Sequence, residues 1–207
     1  MAKFHFLYSV MNAGKSLQLL SVAQNYAEHQ GNIVLVTSDV DRRSGVGKIS
    51  SRIGVSADAI ALGESDNLFH IVLALHKANP VTAVLMDEVQ FMTGEHMWQG
   101  AKIVDELNIP VMAYGLKNNV FGELFGPAIH AALAIADEIR EIRQLCWCHR
   151  RATQILRYDP HGRTEKTGNV VEVGGDNRYV SVCRKHWISD DIGPSRRALL
   201  TEASTSN

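Results

Sequence analysis

Near its N-terminus the chain reads Ser9-Val10-Met11-Asn12-Ala13-Gly14-Lys15-Ser16. The stretch ends in Gly-Lys-Ser as a phosphate-cradling loop does, with serine where the pattern G-x-x-x-x-G-K-[ST] has its first glycine. It follows the apolar run FHFLY (4–8) and opens a segment with helical spacing. A helix start carries unpaired N–H groups and a partial positive charge, so a polyphosphate can settle there. Gly14 would let the backbone approach the phosphates, Lys15 would place its ammonium on them, and Ser16 could ligate Mg²⁺. Ser9 closes the strand, where a negative φ leaves room for a Cβ, and Asn12 tolerates left-handed backbone better than most residues. The plain alternative is a surface lysine in an ordinary strand-to-helix turn.

A second element lies in VTAVLMDEVQF, which puts Asp87 and Glu88 at the C-terminal end of a hydrophobic strand. In an open parallel sheet that edge is where ligands bind. Asp87 there could help hold Mg²⁺, and Glu88 could take a proton from an attacking hydroxyl or water. Two carboxylates beside a bound polyphosphate would repel it, so a metal is implied. A solvated acidic turn is the bland reading. A third constellation is Cys146-Trp147-Cys148 followed, 34 residues on, by Cys183-Arg184-Lys185-His186. Three thiolates and an imidazole are a closed tetrahedral Zn²⁺ set, with a structural role. His149 rivals His186 as the fourth ligand. Three cysteines, an odd number, argue against a disulfide framework; free buried thiols beside an incidental histidine are the alternative.

These groups need a scaffold, and the patterning supplies one. FHFLY, NIVLV (32–36), VTAVLM (81–86) and PVMAY (110–114) are short, apolar and partly β-branched, as buried parallel strands are. Between them Leu19, Val22, Ala23 and Tyr26 share a helical face, as do Leu68, Val72 and Leu75, and Val104 and Leu107. Strands alternating with helices predict an α/β fold, a P-loop parallel sheet flanked by helices. After Ala136 the texture changes. EIREIRQLC, RATQILRY and YVSVC read as strands around the polar loop YDPHGRTEKTGN. The expected division is 1–138 for the nucleotide-binding domain, 139–190 for a small zinc-binding lobe and 191–207 for a mobile tail.

The 207 residues are 45% hydrophobic, enough to bury a core. The net charge of −1 speaks against gripping nucleic acid through its phosphates. The aliphatic runs 71–75 and 131–136 are too short for a bilayer, and MAKFHFLYS is no secretory signal. A cytoplasmic protein without membrane or nucleic-acid partners is expected.

The loop, the downstream D-E-x-Q-F, the stretch YGLKNNVFGELF and the ending VVEVGGDNRYVSVCRKH together resemble the thymidine kinase family over about residues 3–187. The likeness is to the zinc-containing bacterial and cytosolic type, especially the enterobacterial enzymes, in which Ser also opens the loop. It implies ATP + thymidine giving ADP + dTMP with Mg²⁺, deoxyuridine as a further substrate, a homotetramer and dTTP as feedback inhibitor. It also implies a lasso loop closing over the nucleoside. By position, Ser9, Val10, Met11, Asn12, Ala13, Gly14, Lys15 and Ser16 hold ATP, with Asp87, Glu88, Val89 and Gln90 completing that site. Glu88 is implied to be the proton acceptor for the 5′-hydroxyl. Asp41 and Arg43 match a D-x-R near metal and phosphates. Cys146, Cys148, Cys183 and His186 are implied to be the zinc ligands. Met11, Phe91, Leu116, Val120 and Phe125, the segment Val170, Val171, Glu172, Val173 and Gly174, and Tyr179 match the nucleoside site. Val120 departs from the family, which has an aromatic there; Phe121 follows it. Outside this resemblance, a nucleotide-hydrolysing switch or a zinc-ribbon nucleic-acid binder would share parts of the pattern.

Overall fold

The computed structural model describes residues 1–41, 45–170 and 178–198. The four apolar runs form β1 (Phe4–Ser9), β2 (Ile33–Ser38), β6 (Ala83–Met86) and β7 (Val111–Leu116). Between them come α1 (Lys15–Glu28), α2 (Leu68–Ala78) and α3 (Gly94–Leu107), with α4 (Pro127–Ile135) after β7. Three short strands were not legible from pattern: β3 (Lys48–Ser50), β4 (Ser56–Asp58) and β5 (Ile60–Leu62). Three residues carry too little periodicity to register as a strand. The six-stranded sheet runs β5-β2-β6-β7-β1-β8, where β8 is Glu138–Glu141. Pairing is parallel at β5–β2, β2–β6, β6–β7 and β1–β8. Every residue of β6 is buried, as a central strand covered on both faces requires. β8, with the sequence EIRE, lies at the edge, where charged side chains discourage further pairing.

The helices are set by local chemistry. Asn67 caps α2 by accepting from the His70 amide. Thr93 starts α3 with a capping box closed by His96 rather than Glu. His96 Nδ1 accepts from the Thr93 amide at 3.3 Å and Nε2 reaches the Asp66 carbonyl at 3.0 Å. The pair of contacts selects the neutral tautomer with the proton on Nε2. One turn further along α3, Gly100 packs on Phe4 so closely that a Cβ would lie 2.7 Å from the ring. Phe4 is buried and has no room to swing aside. Gly100→Ala is therefore expected to destabilise the protein by about 1–3 kcal/mol through overpacking, read as a lower urea midpoint at unchanged m.

Backbone proximity divides the chain into two compact units. The first comprises Met1–Tyr8, Gly14–Lys117 and Phe125–Ile142. The second holds Ser9–Ala13, Asn118–Leu124 and the chain from Arg143 on. In the second unit β9 (Gln154–Arg157) and β10 (Tyr179–Val182) form an antiparallel pair, followed by α5 (Arg184–Ile188). Its apolar interior is small, built on Ile155, Leu156, Tyr158 and Val182. Among the described residues no helix is long and apolar enough to cross a membrane.

Candidate functional site

Ser9 is the last residue of β1, so its backbone is extended and its side chain fits without the positive φ that a glycine serves. Its hydroxyl donates to the Val10 carbonyl at 2.6 Å. Asn12 takes φ 65°, the left-handed conformation that asparagine tolerates. The Met11 carbonyl accepts from Ser181 Oγ at 2.7 Å and the Asn12 carbonyl from Gln144 Nε2 at 2.6 Å. Those two side chains fix the first half of the loop within the second unit, and neither stands out in the sequence, because polar residues so distant in the chain show no partner there.

In the first unit, Gly14 caps α1 with φ 80° and open space around its Cα. Lys15 and Ser16 open the helix, and Lys15 is buried. Asp87 follows β6, two places from β1 in the sheet, with its amide donating to the Val36 carbonyl at 2.8 Å. Burial, then the neighbouring Glu88 charge, push its carboxyl up to about 7, while the Ser16 hydroxyl and the Lys15 ammonium hold it down. Its Oδ1 is buried without a hydrogen-bond partner. An orphaned carboxylate oxygen beside a serine hydroxyl supplies the oxygen donors that a hard cation such as Mg²⁺ fits, while the Lys15 ammonium suits a phosphate. The buried Tyr114 hydroxyl also lacks a partner, and burial and the Asp87 charge raise it to about 12.

The Asp87 shift gives a signed expectation. A folded-state value above the unfolded one means that the folded protein binds the extra proton between about pH 4 and 7. This contribution to stability is present below that window and lost as pH rises through it. Without nucleotide or added Mg²⁺, Asp87→Asn should unfold with wild type at pH 4 and at a higher temperature than wild type at pH 8. Equal midpoints at both pH values would remove the buried charge from the account.

Glu88 sits in the left-handed region at φ 52°, a strain of about 1–2 kcal/mol for a residue with a Cβ. Its carboxylate accepts from Gln90 Nε2, and Gln90 Oε1 in turn accepts from the Leu116 amide at 2.9 Å. Gln90 thus ties Glu88 to the end of β7. Gly115 makes this possible, since a Cβ there would meet Val89 Cγ2 at 2.8 Å and Gln90 Oε1 at 3.1 Å. Its need for close approach is invisible in a one-dimensional pattern. Val89 is fully buried. Phe91 and Phe125 meet edge to face, with centroids 5.6 Å apart, and Leu116 is buried in the same unit. Asp41 follows β2, its amide donating to the Ser38 carbonyl at 3.2 Å. Arg43, Val171, Glu172, Val173 and Gly174 lie outside the described residues. In the second unit Val120 and Tyr179 are buried, and Val170 is half-buried.

The four zinc candidates converge. Their ligand atoms all lie within 4.8 Å of one another. Cys146 Sγ is 3.2 Å and Cys183 Sγ 3.6 Å from His186 Nδ1, and Cys148 Sγ is 3.9 Å from Cys183 Sγ. Tetrahedral Zn²⁺ with ordinary bond lengths places sulfurs about 3.8 Å apart and sulfur about 3.6 Å from nitrogen. The spacing fits the metal. His149 instead occupies an exposed left-handed turn position at φ 63°, outside the cluster. Trp147 stacks on the His186 ring, with centroids 4.2 Å apart, and covers the ligand.

A parallel α/β sheet whose first strand runs into a Gly-Lys-Ser helix start, with a buried aspartate facing that lysine, defines a P-loop protein of the nucleotide-binding class. The family model described as thymidine kinase matches residues 2–187. The chain belongs to the thymidine kinase family. It is 49% identical over 188 residues to a thymidine kinase of Agrobacterium fabrum, covering 91% of this chain and 97% of that one. A thymidine kinase of Jannaschia sp. is 48% identical over 187 residues, with 90% and 95% covered. One of Vibrio cholerae is 44% identical over 187 residues, with 90% and 97% covered.

Proposed function

We propose that this protein phosphorylates the 5′-hydroxyl of thymidine, and of deoxyuridine, with ATP as donor, feeding DNA-precursor salvage. The observation that carries the reading is the buried Asp87–Glu88 pair at the strand end, with Lys15 and Ser16 acting on Asp87, in a chain of this family. Ser9–Ser16 wrap the phosphates and Asp87–Gln90 complete that site. Ser16 and Asp87 would hold a Mg²⁺ whose chemistry would be to neutralise phosphate charge, and in this reading Asp41 and Arg43 serve the same metal–phosphate site. The nucleoside's 5′-oxygen attacks the γ-phosphorus, the bond to the β-phosphate oxygen breaks, and the hydroxyl proton passes to Glu88. Little covalent help is needed, so positioning and charge neutralisation by Lys15 and the loop amides carry most of the rate.

Met11, Phe91, Leu116, Val120 and Phe125 surround the thymine ring in this reading, and Val170–Gly174 with Tyr179 hydrogen-bond the base. The Cys146, Cys148, Cys183 and His186 cluster holds structural Zn²⁺. The enzyme works in the cytoplasm as a homotetramer restrained by dTTP. A coupled assay of ADP formation across a nucleoside panel tests the activity. Turnover should require thymidine or deoxyuridine and be negligible with purine nucleosides. ATP consumption indifferent to thymidine would mark a hydrolase instead.

A further inference from the structure

Trp187 follows the zinc candidate His186 in α5, and the roles assigned above make no use of its side chain. We propose that Trp187 is a positioning residue for the nucleoside, carrying both the loop that holds Val120 and Lys166, from the segment between β9 and β10, on one indole tied to the metal cluster. The inference rests on the thymidine-kinase reading and on Val120 facing the base.

The tie to the cluster is short. The Trp187 amide donates to the carbonyl of Cys183 at 3.0 Å, and His186 precedes it. From there the indole reaches the loop Asn118–Leu124. Nε1 donates to the Val120 carbonyl at 3.3 Å. Gly122, at φ 82°, lies flat on the ring: a Cβ there would stand 3.0 Å from Cη2 and 3.1 Å from Cζ2. The loop is braced within itself. Asn119 donates its amide to the Glu123 carbonyl at 2.9 Å, and Asn119 Oδ1 accepts from the Phe121 and Glu123 amides at 2.9 and 3.1 Å. So braced, it moves as a piece, and the indole beneath it sets where the buried Val120 side chain stands.

The same residue holds a second strand of chain. Its carbonyl accepts from Lys166 Nζ at 2.7 Å, and that ammonium also lies 4.2 Å over the indole ring and 2.8 Å from Asp190 Oδ1. A tryptophan present for packing alone would not need its indole N–H engaged by Val120 and its ring by both Gly122 and Lys166.

Trp187→Phe, Trp187→Ala and Lys166→Met test this in the full-length enzyme, with zinc content by metal analysis, thymidine binding by equilibrium dialysis, and KM for each substrate. Misplacing a contact by an ångström can cost up to about 10²-fold; thymidine Kd and KM should rise about tenfold or more in Trp187→Ala and less in Trp187→Phe and Lys166→Met, with zinc and the KM for ATP at wild-type values. Thymidine binding within about twofold of wild type in zinc-replete Trp187→Ala and Trp187→Phe would overturn the proposal, as would a parallel rise in the KM for ATP. Should Trp187→Ala lose zinc, the other two decide: weakened thymidine binding with zinc retained supports it, and unchanged binding overturns it. A wild type that turns over no thymidine would defeat the functional reading itself, an outcome separate from any variant.

Discussion

Glu88→Gln is expected to lower kcat by about 10²–10⁴-fold, the range that a positioned general base contributes, while ATP and thymidine bind nearly as tightly as to wild type. A glutamine is isosteric and keeps an oxygen to accept from Gln90 Nε2, so the Glu88–Gln90–Leu116 chain survives. The backbone strain at φ 52° is also common to both residues. What disappears is the capacity to take a proton. A change in kcat without a change in binding is the signature of an interaction made only in the transition state. Single-turnover kinetics with direct binding of both substrates measures it. A near-normal kcat would take Glu88 out of the reaction and leave the attacking hydroxyl to lose its proton to solvent or phosphate.

Cys183→Ser should release zinc and unfold the second unit, with nucleoside affinity falling before ATP affinity. Two paired strands are marginal on their own, and the unit's interior rests on a handful of residues such as Ile155, Leu156 and Val182. Structural zinc contributes about 10–16 kcal/mol of apparent binding free energy in small metal-folded peptides, far more than such a core can replace. Cys183 also receives the Trp187 amide, so its loss disturbs the α5 start as well as the ligand set. Phosphate binding should fall as well, since Ser9–Ala13 belong to the second unit, but less, because Gly14, Lys15, Ser16 and Asp87 belong to the first. Metal analysis, far-ultraviolet circular dichroism and titration with each substrate separate these effects. A zinc-free wild type, freshly purified and fully active, would end the case for a structural metal.

The phosphate loop was legible because its information is contiguous: a strand, eight residues and a helix start carry their own geometry, and Asn12 and Gly14 mark the two left-handed positions. The four core strands and three helices were legible because apolar periodicity survives in one dimension. Thiol spacing likewise announced a metal cluster. The fourth ligand is a different matter. His149 lies beside Cys148 in sequence, yet a tight turn aims it outward, and His186 closes the set from 37 positions beyond it in the chain.

By itself, then, the sequence determined the parts that neighbours in the chain build together: the loop, the acidic strand end, the cysteine spacing and the α/β alternation. Only the tertiary structure decided that EIRE completes the main sheet beside β1, that Gln90 links Glu88 to Leu116 over a glycine, and that Trp187 supports Val120. Most of these contacts join residues far apart along the chain, which loop closure and packing bring together and local preference does not. A side chain's type limits which partners it can accept, but the three-dimensional fold selects which one it meets.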